Sequence, residues 1–599
     1  MPDEQSTSPA VAGTSRSRSK RFAIAAIVLM LLGQAIVMAQ TAIKLTVTHD
    51  EYWHIPVGLL CWKTGRFDVE PLNPPVLRMW ATWPLLFTDA NSPRTQPTSD
   101  LTKIGDEFLA ANNNQIDRFV VIARMSMIAL TIAAGALLAR WAWEWHGPAA
   151  ACLVAWLWTR DPTVIGHGSL VTTDTGAAAL WIAVLYATSH FATRPTRRLA
   201  VVTGVLLGLA QAAKFTNVLL VPLVPLCWWL QRARPTTSHS TELNSQSMPQ
   251  TRRDLVRQWC ALLVAAWLSL NAAYLFRGFG TSLTDIHLNS QAGQTWKSAI
   301  GPLASLPIPL PRDYVTGIDR QFAVMEAHHP VFLDMNWSNT GYPSYYLRTL
   351  VLKVPHSTQL LVLAAFAMAF FNWRGSIWRR RLSLLIPAGL LLLVSSFSTM
   401  QLGIRYILPL MPLLFLFAGE LAAGWSWTRQ RWQPLVVLVI LVIFDPWRTH
   451  PEYIAYFNEA AGGVEAGAQQ LLDSNLDWGQ DLHALKQYLD EHPEVQNLRL
   501  AYFGTLPPES LGIKYELPTR TYPTRGWNAV SVNFMIGRPY WVRDGKGHIE
   551  QVGMAEFSYF FIFKPRQQIG ASIELHYVSN EDIKRWEGQM NSIEKHGLR

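Results

Sequence analysis

Long apolar runs alternate along this chain with short basic or polar stretches, and the alternation predicts its architecture. The runs are longer than a core helix of a soluble domain needs. Eleven membrane spans are predicted, at roughly 22–43, 119–140, 147–163, 170–192, 199–213, 215–231, 259–276, 356–373, 382–398, 404–424 and 433–446. The first, from Phe22 to about Ile43, is long enough by itself to cross a bilayer as a helix.

Three stretches are predicted to lie outside the membrane: 44–118, 277–355 and 447–599. In the first, Val76–Phe87 is apolar but too short to span. It carries Arg78 with Trp80, Trp83 and Phe87, and reads as a helix lying along the interface. The third has a mixed pattern. Gln469–Asp473 and Leu482–Leu489 read as helices, and Asn497–Phe503, Ala529–Met535, Tyr559–Phe563 and Ser572–Val578 as strands, which makes a small α/β domain. The expected fold class is therefore an α-helical polytopic membrane protein of about eleven transmembrane helices with an α/β extracytoplasmic C-terminal domain. Three parts follow: a cytoplasmic N-terminus over 1–21, Ser/Thr/Pro/Arg-rich and disordered; a transmembrane domain over 22–446; and an external domain over 447–599. The two halves of the membrane part show no sequence repeat.

Orientation follows from the basic residues. With the N-terminus in the cytoplasm, the internal segments hold Arg16, Arg18, Lys20 and Arg21, then Arg140, then Arg194, Arg197 and Arg198. The next hold Arg232, Arg234, Arg252, Arg253 and Arg257, then Arg374 and Arg379–Arg381, and last Arg429 and Arg431. Alternate loops are basic, as positive-inside ordering requires, and an odd number of spans puts the C-terminal region outside. The basic N-terminus could also open a signal peptide. Its apolar run is longer than the usual h-region, which favours a retained anchor.

Composition agrees. Half the residues are hydrophobic, 26 of them Trp, and 16% are charged, against about 25% in a soluble chain. The net charge of +9 does not point to nucleic acid, because the basic residues cluster between apolar runs. Four cysteines form no disulfide framework: Cys152, Cys227 and Cys260 fall in apolar runs, and Cys61 in an external loop.

Candidate chemistry gathers on the outer face. Thr48-His49-Asp50-Glu51-Tyr52-Trp53-His54 puts two adjacent carboxylates, flanked by imidazoles, at the membrane–water boundary, where an acid is costly unless it serves a site. Asp50 and Glu51 also suit a plain helix start. Asp174, at the outer mouth of the fourth span, adds a third acid. Lys214, Lys353 and Arg405 are basic residues on the same face, against the positive-inside trend. Snorkelling explains each singly. Beside outward acids they suggest a pocket for an anionic headgroup, and Arg pairs bidentately with phosphate. His49, His54, His328 and His329, with Glu51, could hold a divalent metal, although no tight zinc-type spacing is present. Asp477-Trp478-Gly479-Gln480 reads as a capping box opening an Asp481–Leu489 helix.

Some of these blocks have a family resemblance. His49-Asp50-Glu51…His54…Gly58 followed by Asn73-Pro74-Pro75 resembles the first external loop of the protein O-mannosyltransferases. It is similar also to lipid A aminoarabinose transferases, and both belong to the GT-C class of membrane glycosyltransferases. His167…Thr173-Asp174, Gly208…Lys214, Gly341-Tyr342…Tyr346…Lys353-Val354-Pro355, Arg405-Tyr406…Pro409 and Ser474–Leu482 resemble later blocks of bacterial relatives. Asn73 departs from the pattern, since many relatives have His there. The resemblance implies a monosaccharide donor on a polyprenyl phosphate, an acceptor (protein, lipid or polysaccharide) at the outer face of the cytoplasmic membrane, and an inverting transfer. It implies Asp50 as general base; beside that, the outward charges make Glu51 and Asp174 the accompanying acids and Arg405, Lys353 and Lys214 the candidates for the donor phosphate, with His54, His167 and Tyr346 as further site candidates. A transporter or flippase of a lipid-linked sugar would use the same pocket without chemistry, and an inactive relative would serve as a glycan-binding scaffold.

Overall fold

The computed structural model describes residues 9–94, 100–113, 115–232, 251–372, 377–423, 437, 441 and 446–595. The chain is mostly helical. Helix α1 spans Pro9–Lys44, and a short turn leads into α2, Glu51–Thr64, which Gly65 ends at a φ of +63°. Helix α3, Pro75–Thr82, starts on a proline, whose fixed φ and missing N–H suit a first helical turn. Then come α4 (Leu101–Ala111), α5 (Ile116–His146), α6 (Pro148–Arg160), α7 (Pro162–Gly168) and α8 (Thr173–Thr193). The membrane part continues with α9 (Arg197–Gln211), α10 (Leu220–Gln231), α11 (Arg252–Ala273), α12 (Gln291–Ile300) and α13 (Arg312–Glu326). A two-stranded ribbon, β1 (Val331–Leu333) with β2 (Asn336–Ser338), precedes α14 (Tyr345–Lys353), α15 (His356–Phe371), α16 (Ile377–Ser396) and α17 (Leu410–Gly419).

This is a multi-pass membrane protein. Among the described residues, four helices are long and apolar enough to cross a bilayer: Ser19–Lys44, Ile116–His146, Thr173–Thr193 and Arg252–Ala273. Helices α14 and α15 make a fifth span if counted as one, bent by 116° where Pro355 interrupts them. The other expected spans fall on shorter helices. The 147–163 run is a 13-residue helix, about 20 Å long, and its inner face is buried against α1 and α5. The eleventh span, 433–446, lies almost wholly outside the described residues.

The expected interfacial helix over Val76–Phe87 is α3 followed by a 3₁₀ turn, Trp83–Phe87. Trp80, Trp83, Leu86 and Phe87 stay exposed while Arg78 is buried. Arg78 pairs with Glu70 and also donates to the Asn73 carbonyl, which fixes the turn ahead of the Pro-Pro pair. Gly58 is needed where α2 crosses this helix, because a Cβ there would lie 2.4 Å from the Arg78 carbonyl oxygen.

Beyond residue 446 come α18 (Gly463–Ala468) and α19 (Leu482–Glu491), then a four-stranded sheet in the order β3-β4-β8-β7. Its strands are β3 (Arg499–Ala501), β4 (Gly526–Ser531), β7 (Gln567–Ile569) and β8 (Ile573–Val578); β3 runs parallel to β4 and the other pairings are antiparallel. A separate hairpin joins β5 (Tyr540–Arg543) to β6 (Ile549–Val552). Helix α20 (Val532–Met535) follows β4 at once, and α21 (Asn580–Lys595) ends the described chain.

Three expectations for this region are corrected. Tyr559–Phe563 is a 3₁₀ turn, Ser558–Ile562, rather than a strand, with Tyr559, Phe560 and Phe563 packed into one aromatic cluster. The strand expected over Ala529–Met535 stops at Ser531 and becomes helix. Gln469–Asp473 follows a helix instead of forming one.

Candidate active site

The turn between α1 and α2 places Asp50. Its backbone is tied to the C-terminal region: Thr46 N–H donates to the Gln480 carbonyl (3.0 Å) and His49 N–H to the Trp478 carbonyl (2.9 Å). Glu51, the next residue, points the other way. It is fully buried and accepts two hydrogen bonds from Arg124, at 2.9 and 2.6 Å. It also accepts from Thr48 N–H and Oγ1 and from Val171 N–H. Burial raises the Glu51 carboxyl, but Arg124 outweighs it and holds the group below its usual range. Glu51 therefore clamps the turn to α5 and α8 and does not line the cavity beside Asp50.

That cavity, about 200 Å³, brings together Asp50, Asp174, Lys214, Arg405, Asn73 and Tyr406. Arg405 is its centre. Its Nη1 donates to Asp50 Oδ2 at 2.6 Å and lies 3.5 Å from Asp174 Oδ2. Lys214 Nζ pairs with the other oxygen of Asp174 and sits 4.9 Å from the centroid of the Tyr406 ring. Asp174 is 2% exposed and Asp50 19%, so Asp50 is the more accessible acid. Burial pushes the Asp50 carboxyl up, yet Arg405, with His49 and His54, holds it well below the usual carboxylate range. Two acids and two cations thus compensate one another in a small enclosed space, and an entering anion would meet both cations.

Arg405 owes its pose to residues far along the chain. Gly403, at φ +103°, turns the backbone where Ser474 and Asn475 pack closest. Arg405 Nε donates to Ser474 Oγ at 3.1 Å, and Ile404 N–H to Asn475 Oδ1 at 3.1 Å. The Trp478 ring covers the guanidinium. The sequence reading gave this stretch as a block of the family resemblance and Asp477–Gln480 as a helix cap, and the structure corrects the cap. Helix α19 starts at Leu482, and neither Asp477 nor Asp481 caps it with a side chain. Asp477 accepts from Gly479 N–H (2.9 Å) and from Ser531 Oγ, tying the loop to β4. Asp481 accepts from the N–H groups of Ala571 and Ser572, both at 2.9 Å. These acids face the sheet because their oxygens meet its donors there.

The remaining candidates lie around this centre. Lys353 does not line the cavity; it is buried beneath it and donates to the carbonyls of Ile454 (2.9 Å) and Asn475 (2.5 Å). Tyr346 is fully buried, and its hydroxyl has no hydrogen-bond partner among the described residues. His54 and His167 are buried too, each with an Nδ1 lacking a partner among them. Burial pushes these imidazoles down, to about 4 for His54 and about 3 for His167, so both are neutral near pH 7. His49 lies beside Asp50, with Nδ1 3.6 Å from Oδ1, and its Nε2 meets the Tyr540 hydroxyl at 2.5 Å. His329 lines a second small cavity with His49 and Asp50. Among the described residues, no group of three or more His, Cys, Asp or Glu side chains is gathered as a metal site. His49, His54 and His329 therefore do not form one.

The sequence matches no protein-family profile and no curated protein. Several solved structures are similar in outline. ArnT from Cupriavidus metallidurans, bound to undecaprenyl phosphate, is 12% identical with a TM-score of 0.43, covering 88% of this chain and 97% of its own. The oligosaccharyltransferase AglB from Archaeoglobus fulgidus, in complex with an inhibitory peptide and a dolichol-phosphate, gives 10% and 0.38, covering 88% and 74%. The arabinofuranosyltransferase AftD from Mycobacteria gives 14% and 0.38, covering 94% and 40%.

Proposed function

We propose that this chain is a GT-C-type inverting glycosyltransferase of the cytoplasmic membrane. It moves one monosaccharide from a polyprenyl phosphate to an acceptor hydroxyl on the outer face, with the external domain 447–599 closing the site from that side. The observation that carries the reading is the sharing of Arg405 between Asp50 and Asp174 in a cavity that also holds Lys214.

Asp50 pairs with Arg405 and neutralises it. A donor phosphate competes for that guanidinium and for Lys214, and leaves Asp50 free to accept a hydrogen bond from the acceptor. The acceptor oxygen then bonds to the anomeric carbon as the bond from that carbon to the phosphate oxygen breaks. The bonding electrons leave on the polyprenyl phosphate, and the acceptor proton passes to Asp50. General-base help of this kind contributes about 10²–10⁴-fold. Arg405 and Lys214 stabilise the charge that grows on the departing phosphate. A phosphate leaves as a stable anion, so no acid partner is required. Asp174 orients both cations. Glu51 and Lys353 act as positioning residues, Glu51 through the Asp50 turn and Lys353 through the Asn475 loop under Arg405.

The test is sugar transfer from a synthetic polyprenyl-phosphate donor by the purified protein in proteoliposomes, using envelope extract as the acceptor pool. Transfer that needs Asp50 and Arg405 supports the reading. Donor carried across the bilayer with no sugar released from its phosphate would make the protein a transporter.

A further inference from the structure

Asp50 stands between cavities, and they differ in character. The one described above presents Lys214 and Arg405. Asp50 and Arg405 also line a neighbouring cavity of about 170 Å³, with His49, Phe503, Arg538 and Tyr540. His49 and Tyr540 in turn border a larger cavity of about 490 Å³ between α4 and the β5–β6 hairpin. Its walls are the rings of Trp53, Tyr540 and Trp541, with Thr102, Thr505 and Arg543 among its polar groups. The volume falls within the range of small-molecule sites, and a lining of three large rings and the aliphatic Leu101, Val542 and Ile549 with a few placed polar groups, Asp100 among them, is of their usual make-up.

We infer that this larger cavity binds the acceptor, and that the acceptor is a carbohydrate. The inference rests on the transferase reading. An inverting displacement needs the attacking hydroxyl on the face of the anomeric carbon opposite the leaving phosphate, and the base on the hydroxyl's side. The two oxygens of Asp50 have different neighbours that suit these two demands: Oδ2 takes Arg405 Nη1 at 2.6 Å, and Oδ1 lies 3.6 Å from Nδ1 of His49, which borders the larger cavity. A sugar in the large cavity extends one hydroxyl past His49 and Tyr540 to Oδ1.

The chemistry of the walls favours a sugar. A pyranose offers a flat face of polarised C–H groups, which suits the electron-rich face of an aromatic ring, and a rim of hydroxyls for threonine, carbonyl and guanidinium groups. Arg543 is fixed for that role, with Nη2 2.7 Å from Asp106 Oδ1 and Nε donating to the Thr505 carbonyl at 3.0 Å. The same Asp106 oxygen accepts from the Tyr52 hydroxyl at 2.5 Å, so the cavity wall and the Asp50 helix form one connected unit.

Saturation-transfer NMR on the whole protein in lipid nanodiscs tests this without turnover, using maltotriose, mannotriose and cellotriose as probes. At least one trisaccharide should bind. Trp541→Ala, on an exposed side chain, and Thr102→Trp, which fills the cavity, should each weaken it at least tenfold. Excess polyprenyl phosphate should not displace it. No binding by any of the three, binding unchanged in both variants, or displacement by polyprenyl phosphate overturns the assignment. So does a Ser/Thr-rich peptide that binds there in place of the sugars. Trisaccharide binding without any transfer from a polyprenyl-phosphate donor would instead sink the transferase reading and leave the carbohydrate site standing.

Discussion

Trp478 holds its indole against the Arg405 guanidinium, with 4.1 Å from the ring centroid to Cζ. The two residues are 73 positions apart, and the contact joins the loop ahead of α19 to the charged cavity. A ring over a guanidinium restrains the plane of its donors as well as attracting its charge. Arg405 thus reaches Asp50 and Asp174 already aligned, with Ser474 holding Nε from behind.

Arg405→Lys keeps the charge and loses the planar fork. Donor binding, measured with a fluorescent polyprenyl phosphate, should weaken by about ten- to a hundredfold, the equivalent of losing a charged hydrogen bond worth roughly 1.5–3 kcal/mol. Arg405→Ala should weaken it further. Trp478→Leu should give a smaller loss, since the cation remains and only its restraint is gone. Equal affinity in all three would remove Arg405 from the phosphate site.

Glu51→Gln is expected to damage the fold rather than the chemistry. Arg124 is fully buried, and loss of its partner's charge leaves it uncompensated, which costs about 3–5 kcal/mol. A lowered melting temperature with a normal turnover per folded molecule is the outcome. If Glu51→Gln melted like the parent chain but lost transfer, Glu51 would act in the reaction itself.

The sequence made the helical, membrane-bound character and the set of charged residues that meet in the cavity legible for a simple reason. Apolar runs of this length have no other home, and Asp50, Asp174, Lys214 and Arg405 each broke the trend around them. The roles of neighbours were not legible. Asp50 and Glu51 look alike as a pair, and only the packing of α5 shows that Arg124 claims Glu51. Lys353 broke the positive-inside trend as Arg405 does, yet its ammonium is spent on two backbone carbonyls. Ser474 and Trp478 stood in a block of the family resemblance, but their contacts with Arg405 were not legible, nor was that of Tyr540 with His49, because the partners lie tens to hundreds of residues away. The presence of Trp478 in a loop rich in turn residues was the one signal available.

The stability contributed by Asp477 and Glu452 should fall as pH rises from about 4 to about 8. Burial pushes Asp477 up to about 7, from a usual 3.8, and Glu452 up to about 8, from 4.5. An acid with a raised folded value keeps its proton while the unfolded chain has already lost its own. These two acids therefore favour the native state fully at low pH, and their benefit is lost up to the folded value, while the buried neutral His54 and His167 act in the opposite sense below about 6.5. Asp477→Asn cannot ionise, so its melting temperature should depend less on pH over about 4–7 and exceed the parent's at pH 8. The variant should also keep transfer activity, because Asp477 faces Ser531 and not the cavity. Loss of turnover in a well-folded Asp477→Asn protein would assign the external loop a chemical role.

Orientation is tested by cysteine labelling in a Cys260→Ser background, since Cys260 is exposed. A cysteine in place of Lys546, on the hairpin beside the larger cavity, should react with an impermeant reagent added outside intact cells. One in place of Ser240, which lies outside the described residues, should not react. The reverse pattern would turn the whole topology over.

Asp50→Asn separates the chemical role of this residue from a structural one. Asn has nearly the same size, and it suits a helix start as well as Asp does. The described Asp50 side chain makes no cap bond to α2, so a purely structural role leaves nothing there for the amide to lose. The bond that does change is the one to Arg405. With the carboxylate gone, Arg405 still has Asp174 within 3.5 Å and Ser474 at Nε, so the guanidinium is not stranded. Folding and insertion should survive, and phosphate binding should hold or tighten, because a competing anion has been removed. Transfer should nevertheless fall by about 10²–10⁴-fold, since an amide cannot take the proton of the attacking hydroxyl. Donor affinity and turnover would then move in opposite directions in one variant, which neither a helix start nor a transporter pocket predicts. Near-normal transfer by the Asn protein would remove Asp50 as the base.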